Sequence, residues 1–201
     1  MARASTGGDQ KVRKTDARRE RRMHFLAEAA EVLAENGFHE TTMDMIAERL
    51  GVAKVILYRH FASKEDLIHN ILESVADKLV ALDATPEESV TIRALETLKL
   101  ARNNRAAFIL LVRHARNDVM FGEHFSRVHI TIATRLTEVF LGASFDSVLS
   151  RMSAEAIADL VVNGALNWIT FGDAERDEDY AAWVGEGITS ICRTWRVSFL
   201  D

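Results

Sequence analysis

Apolar residues recur along this chain at the three- and four-residue spacing of α-helices. Phe25, Leu26, Ala29, Val32 and Leu33 form a first stripe, with Asp16 as N-cap and Asn36-Gly37 as the stop. Met43, Ile46, Ala47 and Leu50 form a short second stripe that Gly51 closes. Thr41 and Thr42 both offer its cap, and Asp44 follows Thr41 at the spacing of a capping box. After Gly51-Val52-Ala53 a third helix is expected from Lys54 to His60. Ser63-Lys64-Glu65-Asp66 is a further capping box. It opens a long helix with Ile68, Ile71, Leu72, Val75, Leu79 and Leu82 on one side. Two short helices joined by a glycine-containing turn are the helix-turn-helix pattern, and the flanking helices supply its core.

Beyond Asp83-Ala84-Thr85-Pro86, the clearest boundary, the pattern predicts helices over 86–103, 105–116 and 123–141. Pro86 suits a first turn. Residues 108–112 are apolar without a break, which predicts burial on most sides. A loop is expected at 142–145. A helix capped by Ser153 follows, and a final helix comes after the acidic loop 173–179. The expected architecture is all-α, divided into a basic arm (1–15, disordered), a helix-turn-helix domain (16–62) and a second helical domain (63–201, with 63–83 as the linking helix).

Composition sharpens this picture. A single proline in 201 residues, with abundant Ala, Leu, Glu and Arg, favours helix throughout. The lone Cys192 excludes an internal disulfide and fits a cytoplasmic protein. No apolar run is long enough for a membrane span, and the polar N-terminal segment does not read as a secretory signal. The net charge of -5 is unevenly distributed. Residues 1–23 hold eight Lys/Arg and three acids, whereas residues 84–201 hold twelve basic and sixteen acidic residues. A basic end on an acidic body implies polyanion contact at that end alone.

The run from Asn36-Gly37-Phe38 through Thr41-Thr42-Met43 and Ile46 to Lys54, then Leu57 to Leu67, resembles the TetR family of bacterial transcriptional regulators. The resemblance covers about residues 20–70, with Gly51 to Leu67 its most specific part. It implies a nine-helix homodimer. Three N-terminal helices would bind a pseudopalindromic double-stranded DNA operator, and six C-terminal helices would hold a small-molecule effector and the dimer interface. Effector binding would move the fourth helix and release a repressor from its operator.

The DNA-contacting residues expected here are Thr42, Lys54, Val55, Tyr58, Arg59, His60 and Lys64. Lys54 reaches a phosphate or a guanine edge, Val55 a thymine methyl, and the hydroxyl, imidazole and ammonium groups reach phosphate. Two positions depart from the family. Val55-Ile56 stands where a small residue and threonine are frequent, and Asp44 stands where arginine is frequent. The basic arm compensates if it lies along the minor groove.

In the second domain Phe108, His114, Phe125, His129, Asn163 and Asn167 are candidate effector contacts, since apolar walls with few polar groups suit a small-molecule cavity. Gly164, Ala165, Trp168, Trp183, Ile188, Ile191 and Trp195 are candidate dimer contacts. No cofactor and no metal is expected. His124 and His129 lie five apart, which does not place both on one helix face, and residues 173–179 lack the spacing of a calcium loop. With no HExxH, Gly-x-Ser-x-Gly or phosphate-binding glycine loop, an enzyme is not expected. The competing reading is a helix-turn-helix protein that binds DNA without an effector.

Overall fold

The computed structural model describes the backbone of residues 6–84, 89–138 and 148–198, and side chains at 15–84, 89–138, 148 and 151–195. Every element among these residues is helical: α1 (Thr6–Glu40), α2 (Met43–Arg49), α3 (Lys54–Tyr58), α4 (Lys64–Asp83), α5 (Val90–Asn103), α6 (Arg105–Ile109), α7 (Gly122–Leu136), α8 (Val148–Phe171) and α9 (Asp177–Ser198). Packing divides the chain into two units, 1–71 and 72–201. The division falls within α4 rather than at the expected residue 62.

In the first unit the expected stripes face inward. Phe25, Ala29, Leu33, Ile46, Leu57, Phe61, Leu67 and Ile68 form its core. Burying each of the larger side chains contributes about 1.5–3 kcal/mol. Gly37 (φ 81) and Gly51 (φ 63) occupy the left-handed region, which glycine alone enters without strain. Gly37 bends α1 just before its end. The Ser63 hydroxyl accepts from Asp66 N (3.1 Å) and caps α4 as read, while the Asp66 carboxylate accepts from Ala62 N (2.8 Å), one residue before the N–H a capping box uses.

Several boundaries differ from the sequence reading; among them α3 ends at Tyr58, not His60, and α9 begins at Asp177, inside the expected acidic loop. The first helix begins at Thr6, not at Asp16, so residues 6–15 are helical where a disordered arm was expected. Lys11, Arg13, Lys14 and Gln10 all lose little in a helix, and no proline interrupts them. Thr41 does not cap α2. Its buried hydroxyl donates to the Gly37 carbonyl (2.7 Å), and Thr42 is the N-cap, accepting from Met45 N (3.3 Å). Ser153 lies inside α8, which starts at Val148 and not at Ser153, and it is buried there. The helix expected over 86–103 begins at Val90, with Ser89 as its N-cap accepting from Ile92 N (3.3 Å). Pro86, the loop at 142–145 and the helix end at Leu141 lie outside the described residues.

In the second unit α5 packs lengthwise on α9, and α7 on α8. The α5–α9 approach is close at Gly185, where a Cβ would overlap the Thr91 hydroxyl and press on Thr91 Cα at 3.0 Å. Ala133, Leu136, Ala154, Ile157, Ala158, Ile188 and Cys192 form one buried cluster, with Val184, Ile191 and Trp195 packed against it. Burial pushes the Cys192 thiol up to about 11. The apolar run after α6 continues as a π-helical turn, Leu110–Ala115, with Leu110, Leu111 and Val112 buried as expected. Among the described residues no helix is long and apolar enough to cross a membrane.

Candidate nucleic-acid interface

The turn between α2 and α3 is tight: Gly51 N donates to the Glu48 carbonyl and Val52 N to the Ala47 carbonyl, both at 3.0 Å. Leu57 anchors α3 from beneath, with none of its surface exposed. The opposite side of this short helix is consequently bare. Val55 is 57% exposed and Tyr58 47%, and Lys54 and Arg59 are exposed beside them. An apolar side chain left in water at the head of a helix-turn-helix is available for a thymine methyl, and the phenol and guanidinium for phosphate.

Lys54 is not free. Its ammonium donates to the Asp44 carboxylate at 2.6 Å across the α2–α3 turn, and this hydrogen bond, against some desolvation, holds the lysine above its ordinary pKa. The acid that departs from the family pattern thus faces the first residue of the reading helix. Asp44 was expected to serve a capping box; it pairs with Lys54 because Thr42 already satisfies the helix N-terminus.

Arg59 and His60 share a recess of about 380 Å³ with Ala17, Arg18 and Arg21 of α1. The three charged side chains at this rim converge from two elements, which is a footprint for a phosphate chain. Burial and then the nearby Arg18, Arg22 and Arg21 guanidinia hold His60 below its ordinary value, so its ring is neutral at pH 7 and donates from a single N–H. The ring also meets Phe25 edge-on at 5.1 Å. Arg22 has a different task. It donates to the His60 carbonyl and to the Asn70 side-chain oxygen, each at 2.6 Å, and stacks over the Phe61 ring at 4.4 Å, tying α1 to the end of the motif.

Two expected contacts sit apart from this face. The Thr42 hydroxyl is exposed at the start of α2 and is already a cap acceptor. Lys64 donates to the Phe38 (2.8 Å) and Thr41 (3.0 Å) carbonyls, closing the end of α1 onto α4. Arg18 and Arg21 were missing from the residue-level expectation. The charge count of the N-terminal segment signalled them, but their placement beside Arg59 depends on how α1 packs against the motif.

The second unit separates the remaining candidates. Phe108 and Phe125 line an internal cavity. His129 instead hydrogen-bonds Asp159 (3.1 Å) while stacking on Phe125, and Arg116 joins the same carboxylate at 2.9 Å. The Asn163 amide donates to the Asp159 carbonyl at 2.9 Å. His114 is half-buried, and burial holds it below its ordinary value. Asn167 faces outward and lines a groove of about 520 Å³ between α8 and α9, not the internal cavity.

Of the candidate dimer contacts, Gly164, Trp168, Trp183, Ile188 and Ile191 border that groove, whereas Ala165 is buried and Trp195 packs on the core. Trp168 stacks on Tyr180 at 4.4 Å, and its indole donates to Asp177, which is also held by two bonds from Arg102 at 2.7 Å. That buttress leaves Trp183 71% and Phe171 84% exposed at the groove edge.

Comparison with known proteins agrees with this arrangement. Residues 25–71 match the family model described as bacterial regulatory proteins, tetR family. The HTH-type transcriptional regulator UidR of Escherichia coli (strain K12) is 35% identical over 171 residues, covering 80% of this chain and 87% of that protein. The HTH-type transcriptional activator FasR of Mycolicibacterium smegmatis is 28% identical over 202 residues, covering 88% of each. The crystal structure of the transcriptional regulator FadR from Bacillus subtilis in complex with stearoyl-CoA superposes with a TM-score of 0.63 at 17% identity, over 84% of this chain and 97% of that one, and so shares the fold. The chain therefore belongs to the TetR family of bacterial regulatory proteins and is a DNA-binding transcriptional regulator.

Proposed function

We propose that this protein is a cytoplasmic repressor that binds a pseudopalindromic operator as a homodimer and leaves it when a small molecule enters the second unit. The observation that carries the reading is the bare face of α3, with Val55 and Tyr58 exposed over a fully buried Leu57. Lys54, Val55, Tyr58 and Arg59 address the major groove, while His60, Arg18, Arg21 and Thr42 hold the flanking phosphates. Lys64 contributes through its carbonyl bonds, which fix α4 against the α1 end.

The dimer is supported by the apolar groove of α8 and α9. A monomer gains nothing by leaving Trp183 and Phe171 in water, and an exposed apolar patch of this kind marks an association surface. Effector release is supported by the internal cavity behind Phe108 and Phe125. FasR is named an activator, whereas KstR2 of Mycobacterium tuberculosis, 41% identical over 61 residues (30% of each chain), is named a repressor.

Two measurements test this reading. Sedimentation at micromolar concentration is expected to give a dimer; a monomer would contradict the operator model. The logarithm of the DNA association constant is expected to fall linearly with the logarithm of salt concentration. Deleting residues 1–15, which carry Arg3, Lys11, Arg13 and Lys14, should make that slope shallower by about one unit or more. An unchanged slope would remove the N-terminal extension from the interface.

A further inference from the structure

Two small lobes lie inside the second unit, about 60 and 50 Å³ in volume, and share Asp83, Arg93, Thr97, Ile132 and Val161 as lining. Phe108, Leu111, Phe125 and Val128 make the first lobe apolar. The charged groups gather at the end of α4. Arg135 donates to the Asp83 carbonyl at 2.6 Å and places its Nε 3.7 Å from the Asp83 carboxylate. Arg93 donates to the Leu82 carbonyl. The two guanidinia therefore hold the last turn of α4 by its terminal carbonyls and by its final side chain, where cations are favoured.

The lining thus sets two cations against one anion. Glu96, 3.6 Å from Arg93, belongs to the outside, with its side chain 44% exposed, whereas the Asp83 side chain is 10% exposed and those of Arg93 and Arg135 are 14% and 20% exposed. Burial holds the Asp83 carboxyl above its ordinary range, against the downward pull of Arg135 and then Arg93. A second carboxylate entering the smaller lobe would meet both the Arg135 and the Arg93 guanidinium. Arginine binds carboxylates bidentately and keeps its charge in buried sites, which makes exchange of one carboxylate for another feasible without a change in net charge at the forks.

We infer that the effector is a small organic acid, a carboxylate on a short apolar body of about three or four carbons, whose carboxylate displaces that of Asp83 from Arg135 and sits beside Arg93. This rests on the reading of the cavity as the effector site. The size follows from the lobes: at 60 and 50 Å³ both fall well short of the apolar cavity of about 150 Å³ that holds a benzene ring, so they take a body smaller than that ring and not a long acyl chain. Displacing Asp83 removes its carboxylate from the Arg135 pairing and loosens the last turn of α4, which gives the exchange a mechanical consequence inside this unit.

The test titrates the full-length protein, buffered at pH 7, with butanoate and with butan-1-ol, which is of similar size and carries no charge. Calorimetry is expected to show butanoate binding at least about tenfold more tightly than the alcohol. Asp83→Asn removes the competing anion and keeps the backbone carbonyl. It should tighten butanoate by about tenfold and leave the alcohol unchanged. Arg135→Gln should abolish the preference for the acid while retaining the alcohol, whose binding then reports that the cavity is still folded. Equal binding of acid and alcohol, binding of neither, or butanoate no tighter in Asp83→Asn overturns the inference. Selective butanoate binding that fails to release the protein from its operator supports the exchange and overturns the release reading instead.

Discussion

Replacing Trp183 with glutamate is expected to convert the proposed dimer into a folded monomer and to weaken operator binding by about two to four orders of magnitude. Trp183 is 71% exposed, so its loss removes nothing from the monomer's core. It stands beside Tyr180, with ring centroids 5.9 Å apart, at the edge of the α8–α9 groove. Large aromatic residues in such positions dominate association energetics, and a carboxylate buried in their place leaves an unpaired charge. Each half-site would then be bound by one reading head, without the effective concentration that the second supplies. Sedimentation and a thermal melt read the two halves of this expectation separately. A variant that remains dimeric, or one that is monomeric yet binds the operator as before, would place the interface elsewhere.

Phe61→Ala is expected to destabilise the first unit by about 3–5 kcal/mol, the range for truncating a buried phenylalanine. Phe61 is 1% exposed and lies just beyond α3. Its ring also carries the Arg22 guanidinium at 4.4 Å, and the bonds of Arg22 to His60 and Asn70 position the chain after the reading helix. The cavity would therefore loosen the recess formed by Arg18, Arg21, Arg59 and His60 as well as the core. DNA affinity should fall along with the denaturation midpoint. A loss below about 1 kcal/mol would mean that the site collapses around the smaller side chain.

The helix-turn-helix was legible in the sequence because its determinants are local. Gly51, the caps and the alternation of buried Ile46 and Leu57 with exposed Val55 and Tyr58 act within a few residues of one another. The failures were also local, but degenerate. Ser153 has the chemistry of a cap and sits inside α8, because a serine hydroxyl at a helix end and one in a helix interior are spelled alike. Thr41 and Thr42 offered the same side-chain chemistry, and only the backbone at Gly37 decides which of them turns back to α1.

The groups that converge through tertiary packing were not legible. Arg135 reaches Asp83 across 52 residues and Arg102 reaches Asp177 across 75, and neither pair carries a local spacing that announces it. His129 and Asn163 had drawn attention as polar residues on apolar faces. Both are tied to Asp159, one through its carboxylate and one through its carbonyl, whereas Arg93 and Arg135 charge the smaller lobe of the cavity.

The account turns on whether the exposed face of α3, doubled in a dimer, reads a symmetric DNA sequence. Selection of random-sequence DNA by the full-length protein near physiological salt tests this most directly. The expected result is enrichment of one pseudopalindrome whose half-site centres lie about 34–36 Å apart or a multiple of that. Protein that is folded and dimeric yet enriches no sequence, or enriches a single unrepeated element, would contradict it.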